Sequence, residues 1–365
     1  MASLSDVAKA AGVSLTTASL VLNRPKQPNR VSNACALKVR QIAEQLGYIP
    51  NYHARSMKLG KADTIAVALD VGGDGGTCTV AELADPYFSQ LLGGIELHLR
   101  NVGYEMTIVV ADQNYRAPDR AMSGILQRRF DGMIVMGVCV DPVRSKVLQT
   151  APDAPIVAIE FAGETQVPVI DYDEGYGVGL AVKHLAALGH KRLLWVGHRG
   201  RVESTVEDRR EEFFRKSARE AGVAVETCWF GIDAELPMTR ATLAEQAEIA
   251  LGKYVTENGR RFTGIVAYND PIAIGACSAL KAAGIQVPEE VSIVGFDDVE
   301  ACLCIPKLTT VRHVLGEMGR RAAEMVIQMI NEPEMRQRYR GKREVLAPEL
   351  VVRKSTAPAA VSRPA

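Results

Sequence analysis

The 365-residue chain has no net charge, because 43 lysines and arginines balance 43 aspartates and glutamates. That excludes the overall basic excess of many nucleic-acid binders, yet the balance is not uniform along the chain. Residues 1–60 hold eight bases (Lys9, Arg24, Lys26, Arg30, Lys38, Arg40, Arg55, Lys58) against Asp6 and Glu44, so this segment stands at +6 and the remainder at −6. No window approaches the roughly 18 uninterrupted apolar residues of a membrane span. The opening MASLSDVAKAAGV lacks the cationic start and apolar stretch of a secretory signal. A cytoplasmic protein with no membrane partner is expected. The seven cysteines (35, 78, 139, 228, 277, 302, 304) are odd in number, scattered and mostly within apolar runs, which predicts buried free thiols rather than a disulfide framework. Cys302 and Cys304 are the only close pair, and C-x-C alone is weak metal evidence, so core packing and no metal are expected.

Catalytic signatures are also missing. The histidines at 53, 98, 184, 190, 198 and 313 show no H-E-x-x-H spacing, and there is no G-x-S-x-G elbow. The glycine clusters 72–76 and 175–179 lack both the Gly-Lys-Ser/Thr of a phosphate loop and a strict dinucleotide fingerprint. Neither a cofactor nor enzyme activity is expected.

What is present from Thr64 onward is an alternation of short, β-branched apolar runs with helical-period stretches, the pattern of βα units on parallel sheets. Strands are predicted at 64–69, 107–110, 133–136, 156–159, 192–196, 225–230, 265–267 and 291–294, with late ones near 308–311 and 350–353. Glycine at 103, 189, 222 and 284 stops a helix before the next strand. About ten strands exceed one comfortable doubly wound sheet, so the fold class expected is α/β with two flavodoxin-like halves facing across a cleft. The late strands imply that the chain crosses between halves more than once. The small, Pro-rich tail from Ser355 is expected to be disordered, and without leucine heptads it offers no coiled coil.

The basic head has its own pattern. Leu4, Val7, Ala8 and Ala11 fall on one face of a two-turn helix stopped by Gly12, and Ser14 is placed to cap a second helix ending at Asn23. A third helix, from Ser32 to Leu46, turns Leu37, Val39, Ile42, Ala43 and Leu46 inward. This is helix-turn-helix spacing, although an ordinary helical hairpin satisfies it equally. Pro50 can open a further short helix carrying Arg55 and Lys58 outward.

SLSDVAKAAGVSLTTASLVLN followed by LGYIPNYHARSMKLG resembles the head of the lactose/galactose repressor (LacI/GalR) family. DPYFSQLLGGIELHLRNVGYEM, RRFDGMIVMG, KHLAALGHKRLLWVG, FTGIVAYNDPIAIGACSALKAAGIQVPEEVSIVGFDD and LTTVRHVLGEMGRRAAEMVIQMI continue the resemblance in family order. It implies a periplasmic-binding-protein-like core behind a DNA-binding head. The head spans 1–60, with a hinge helix at about 50–59, and the core spans 61–355. Its first subdomain covers about 62–173 and 306–334, its second 174–305 and 335–355, and 356–365 form a disordered tail.

The function so implied is a homodimeric transcriptional regulator, a repressor of double-stranded operator DNA controlled by a small-molecule effector, with a sugar or sugar derivative favoured. A purine-type corepressor and, from another class, a transporter's solute-binding protein remain alternatives. Leu15, Thr16 and Leu20 match base-facing positions, and Ser14, Thr17 and Asn23 phosphate-facing ones. Met57 stands at the minor-groove wedge, flanked by Ala54, Arg55 and Lys58. Leu20 departs from relatives that carry a polar or basic residue there, and the loop 24–30 is longer than usual. The resemblance places Tyr87, Phe88, Glu160, Phe161, Arg210, Asn269, Asp270 and Asp297 around the effector. From the residues alone, Asn269 and Asp270 serve equally well as a helix cap. Phe213 stands where the family motif has glycine, and its bulk is expected to reshape the pocket.

Overall fold

Local sequence dictates the head helices in a computed structural model that describes residues 2–23, 31–49, 60–69, 84–110, 117–136, 153–161, 165–199, 205–231 and 239–359. Helix α1 (Leu4–Ala11) opens with a capping box, in which the Asp6 amide donates to Ser3 Oγ and the Ser3 amide to the Asp6 carboxylate at 2.8 Å. It ends at Gly12, whose φ of +66° is a conformation that a side chain would strain. Helix α2 (Leu15–Asn23) follows at once, the Thr17 amide donating to Ser14 Oγ at 3.1 Å, and α3 (Asn33–Gln45) is capped by Ser32. Val7, Ala8, Ala11, Ala18, Val21, Val39 and Ala43 form the small core. Leu37 and Leu46, expected inward, are exposed. Val39 and Ala43, four residues apart, define the core face of α3; Leu37, two residues from Val39, falls on another face, and Leu46 is the C-cap beyond the helix.

The second compact unit, residues 64–365, contains two six-stranded sheets. The first is built from β1 (Thr64–Leu69), β2 (Glu105–Val110), β3 (Gly132–Met136), β4 (Ile156–Ile159), β5 (Val169–Tyr172) and β11 (Arg343–Leu346), in the order β11-β5-β4-β3-β1-β2. The second comprises β6 (Arg192–Arg199), β7 (Ala224–Gly231), β8 (Gly264–Ala267), β9 (Ser292–Asp297), β10 (Thr309–Arg312) and β12 (Glu349–Val351), in the order β12-β10-β9-β8-β6-β7. Every pairing is parallel except the edge pair β10–β12. Strands such as β1, buried at all six residues, read as continuous apolar runs because helices cover both sheet faces. Those helices are α4 (Pro86–Val102), α5 (Ala117–Leu126), α6 (Glu174–Ala187), α7 (Thr205–Glu220), α8 (Arg240–Asn258), α9 (Asp270–Ala282) and α10 (Leu315–Asn331), with the short α11 (Glu334–Tyr339) after them.

Strands β5 and β11, absent from the sequence prediction, pair with each other at the edge of the first sheet. Each has only four residues, and β11 alternates exposed with half-buried positions rather than forming an apolar run. The division at 306 and 335 is corrected in detail. β10 completes the second sheet beside β9, α10 returns to the first lobe, β11 joins the first sheet and β12 the second.

The tail is corrected too, since residues 356–359 are docked. Ser355 Oγ donates to the Ile293 carbonyl at 2.6 Å and accepts the Thr309 amide at 2.8 Å. The Ala357 amide donates to Ser292 Oγ at 3.0 Å, and the Ala359 amide to the Leu188 carbonyl at 2.8 Å. Buried polar groups at the base of the second sheet need these partners, and the tail supplies them. Residues 360–365 lie outside the described residues. Among the described cysteines all are free; Cys228 and Cys277 are buried, whereas Cys302 is exposed in the loop after β9 rather than packed. No helix among the described residues is long and apolar enough to cross a membrane.

The first lobe is closed by helix α10 on α4, and small residues set that approach. A Cβ at Gly319 would lie 2.2 Å from the Leu91 carbonyl oxygen, and one at Gly94 would lie 2.0 Å from that of Gly316. Gly319→Ala should therefore destabilise the protein by about 1–3 kcal/mol, the overpacking cost exceeding the gain in helix propensity. Denaturant unfolding of the variant beside wild type checks this; an unchanged or raised midpoint would contradict it.

Candidate functional site

In the head, α2 presents Leu15, 53% exposed, and Thr16 outward, with Leu20 half-buried. Ser14 and Thr17 are tied to each other, Oγ to Oγ1 at 2.9 Å, so both hydroxyls already help to hold the helix start. Asn23 is the last residue of α2. Ala54, Arg55, Met57 and Lys58 lie outside the described residues, as do the loops 24–30 and 71–83.

In the core, the carboxyl ends of both sets of parallel strands carry the polar groups, where open α/β sheets bind ligands. Asp85 caps α4 by accepting the Tyr87 amide at 2.8 Å, and Pro86 fits the first helical position. This cap brings Tyr87 to the head of the helix, edge-on to Phe88 with ring centroids 5.6 Å apart. The Tyr87 hydroxyl donates to the carboxyl group of Glu160, which follows β4 at a φ of +58°. Burial pushes the Glu160 carboxyl up to about 8, and the nearby Asp171 and Asp297 carboxylates add to the rise while the Tyr87 hydrogen bond and Arg210 oppose it. Tyr87, Glu160, Arg210 and Asp297 thus share one electrostatic neighbourhood.

Arg210, on α7, is buried and fully oriented. Its Nε donates to Glu174 at 2.8 Å, Nη1 to the Tyr268 carbonyl at 2.6 Å and Nη2 to the Tyr172 hydroxyl at 2.8 Å. The guanidinium lies 4.3 Å from the Tyr268 ring centroid and 4.4 Å from that of Phe296. Phe213 packs against α6, its ring 3.0 Å from where a Cβ on Gly175 would sit.

Other expected residues serve the fold. Phe161 is buried in the apolar layer with Ala66, Val135 and Val169, and Phe88 packs with Leu91 and Ile95. Asn269 caps α9 by accepting the Ile272 amide at 3.1 Å. Asp270 is wholly buried, its carboxylate accepting from Thr310 Oγ1 at 2.6 Å and from the Val299 amide at 3.0 Å. Burial pushes its carboxyl up to about 8.

Sequence reasoning missed five contributors: His198, His313, Arg240, Tyr172 and Asp85. His198, at the end of β6, rests against Tyr268 with centroids 4.9 Å apart, and burial draws its imidazole down to about 4. Among the described residues, its Nδ1 and both nitrogens of the buried His313 have no hydrogen-bond partner, although His313 Nε2 lies 3.5 Å from Asp297 Oδ1. Arg240 opens α8 and reaches Asp85 and Glu300, and Tyr172 stacks on His313 at 3.8 Å. Only Asp85 left a trace, as an Asp before Pro at a helix start.

Comparison with known proteins places both parts. Residues 3–51 match the model of bacterial regulatory proteins of the lacI family, and residues 182–356 match that of periplasmic binding protein-like domains. The chain is similar to the HTH-type transcriptional repressor PurR of Haemophilus influenzae, 30% identical over 362 residues, covering 97% of this chain and 98% of the relative. It is also similar to the ribose operon repressor of Escherichia coli, 28% identical over 348 residues, covering 92% of this chain and 96% of the relative. Among solved structures, the lac repressor dimer bound to operator and an anti-inducer superposes with a TM-score of 0.77 at 24% identity, covering 98% of this chain and 99% of that one.

The Glu160 shift has a measurable sign. The native state keeps this proton between its ordinary value of 4.5 and about 8, whereas the unfolded chain releases it, so this group's contribution to stability falls as pH rises across that window. Glu160→Gln keeps an acceptor for Tyr87 and removes the titration. Denaturant unfolding at pH 5 and pH 8.5 should show the variant gaining on wild type at the higher pH; a gain at the lower pH instead would mean that Glu160 is stabilised as the anion.

Proposed function

Because this chain belongs to the lacI family of bacterial regulatory proteins, and so is a DNA-binding transcriptional regulator rather than an enzyme, we propose that it is a repressor released from its operator by a neutral, polyhydroxylated effector of the sugar class. The observation that carries the effector class is the charge state of the cleft. Arg210 and Arg240, the two cations whose charge reaches Asp297, are both committed to the protein's own carboxylates and are not poised for a phosphate or sugar acid. Glu160, Asp297 and the neutral imidazoles of His198 and His313 instead offer donors and acceptors to hydroxyl groups.

On DNA, α2 enters the major groove with Leu15, Thr16 and Leu20 toward base edges, while Ser14, Thr17 and Asn23 position the helix on phosphates. Leu20 restricts its contact to apolar features such as a thymine methyl. Ala54, Arg55, Met57 and Lys58 contact the minor groove, with Met57 as the wedge. The working unit is a homodimer on a near-palindromic site in the cytoplasm. Leu303 and Ile305, 79% and 95% exposed in one loop, support a surface awaiting a second copy.

Fluorescence anisotropy on the DNA upstream of the protein's own gene tests the head. Binding should exceed that to random DNA and weaken steeply with salt. Thr16→Ala should cost about 1–3 kcal/mol on the specific site while leaving random-sequence binding unchanged. Equal binding to both DNAs by wild type would overturn the reading. A thermal-shift series with neutral sugars, sugar phosphates, sugar acids and purines tests the cleft: stabilisation by neutral sugars that also weakens DNA binding is expected, and stabilisation by purines alone would replace the inducer with a corepressor.

A further inference from the structure

Arg240 is the first residue of α8, behind a cap in which the Thr242 amide donates to Thr239 Oγ1 and the Thr239 amide to Thr242 Oγ1. A cation there faces the positive end of the helix dipole and needs anions nearby. Three supply them: Arg240 Nε donates to Asp85 Oδ1 at 2.9 Å, Nη1 donates to Glu300 Oε2 at 3.1 Å, and Nη2 lies 3.8 Å from Asp297 Oδ2. Asp297 ends β9 and Glu300 follows in the loop after it, in the same lobe as α8, whereas Asp85 stands at the head of α4 in the other lobe, 155 residues before Arg240. The same oxygen, Asp85 Oδ1, also accepts the Tyr87 amide.

We propose that Arg240 and Asp85 form a clasp that holds the two lobes together across the cleft and seats the first turn of α4, with Tyr87, in its effector-facing position. The pair suits reversible use. Both side chains keep some contact with solvent, at 15% and 24%, so separating them does not bury an unpaired charge. When the lobes part, Arg240 keeps Glu300 and Asp297, and Asp85 keeps its cap bond to Tyr87, so neither side is orphaned. Val299, between those two acids, packs against the apolar cluster of the first lobe and would part from it in the same movement.

Hydrogen exchange of the full-length protein, without ligand, tests the clasp. Arg240→Gln removes the cation, and Asp85→Asn removes the charge but retains an oxygen able to cap α4. Each variant should exchange about threefold or more faster, not only in peptides 84–92 and 239–246, which touch the pair, but also in 156–161 and 308–314, which face the cleft or cross the hinge. The double variant should be no faster than the faster single one, because one contact has been lost in all three. Changes confined to 84–92 and 239–246 would mean a local brace and overturn the clasp. Unchanged exchange, or effects that multiply in the double variant, would overturn it as well. Because exchange is read without ligand, a failure here leaves the effector class untouched.

Discussion

The chain passes between the two sheets three times, after Tyr172, after Arg312 and after Leu346, and the lobes can move only by bending there. Two of these crossings are joined by the stack of Tyr172 on His313. The third connects β11 to β12 across a short link that includes Pro348. Arg210 braces the same point from the second lobe, reaching the Tyr172 hydroxyl and Glu174, the first residue of α6. Removing one partner of such a buried pair costs roughly 3–5 kcal/mol, so the pair fixes the pivot rather than serving as a moving part. A residue that the family resemblance puts against the effector is thus also a structural member of the hinge. The orientation of this one side chain is therefore tied to the hinge on which the lobe angle turns.

Much of this was legible in the sequence because buried parallel strands and short capped helices announce themselves. β1 and β4 coincide with their apolar runs, and Ser14 with its helix start. The short edge strands β5 and β11 were not legible. Their pairing is settled by partners 174 residues apart in sequence, such as Val169 and Arg343, and neither carries a pattern of its own. The cleft divides in the same way. Tyr87 and Arg210 belong to local motifs, but Arg240, His198 and His313 become neighbours of the site only when distant strand ends converge. Asp270 shows the converse: a strand-end acid in a recognisable motif whose carboxylate is used up inside the lobe by Thr310 and Val299.

The order of strands in the two sheets has a consequence for synthesis. The first lobe's apolar layer, including Ile65, Leu91 and Ile95, is covered by α10 at residues 315–331, and its edge strand β11 comes later still. The second sheet waits for β10, β12 and the Ser355 contacts. On the ribosome, the head can fold from contacts within its first 63 residues while both lobes remain unfinished until nearly the whole chain has emerged. The nascent protein therefore carries a DNA-reading head before it carries the part that controls it, and for that interval its half-built sheets are the surfaces most in need of a chaperone.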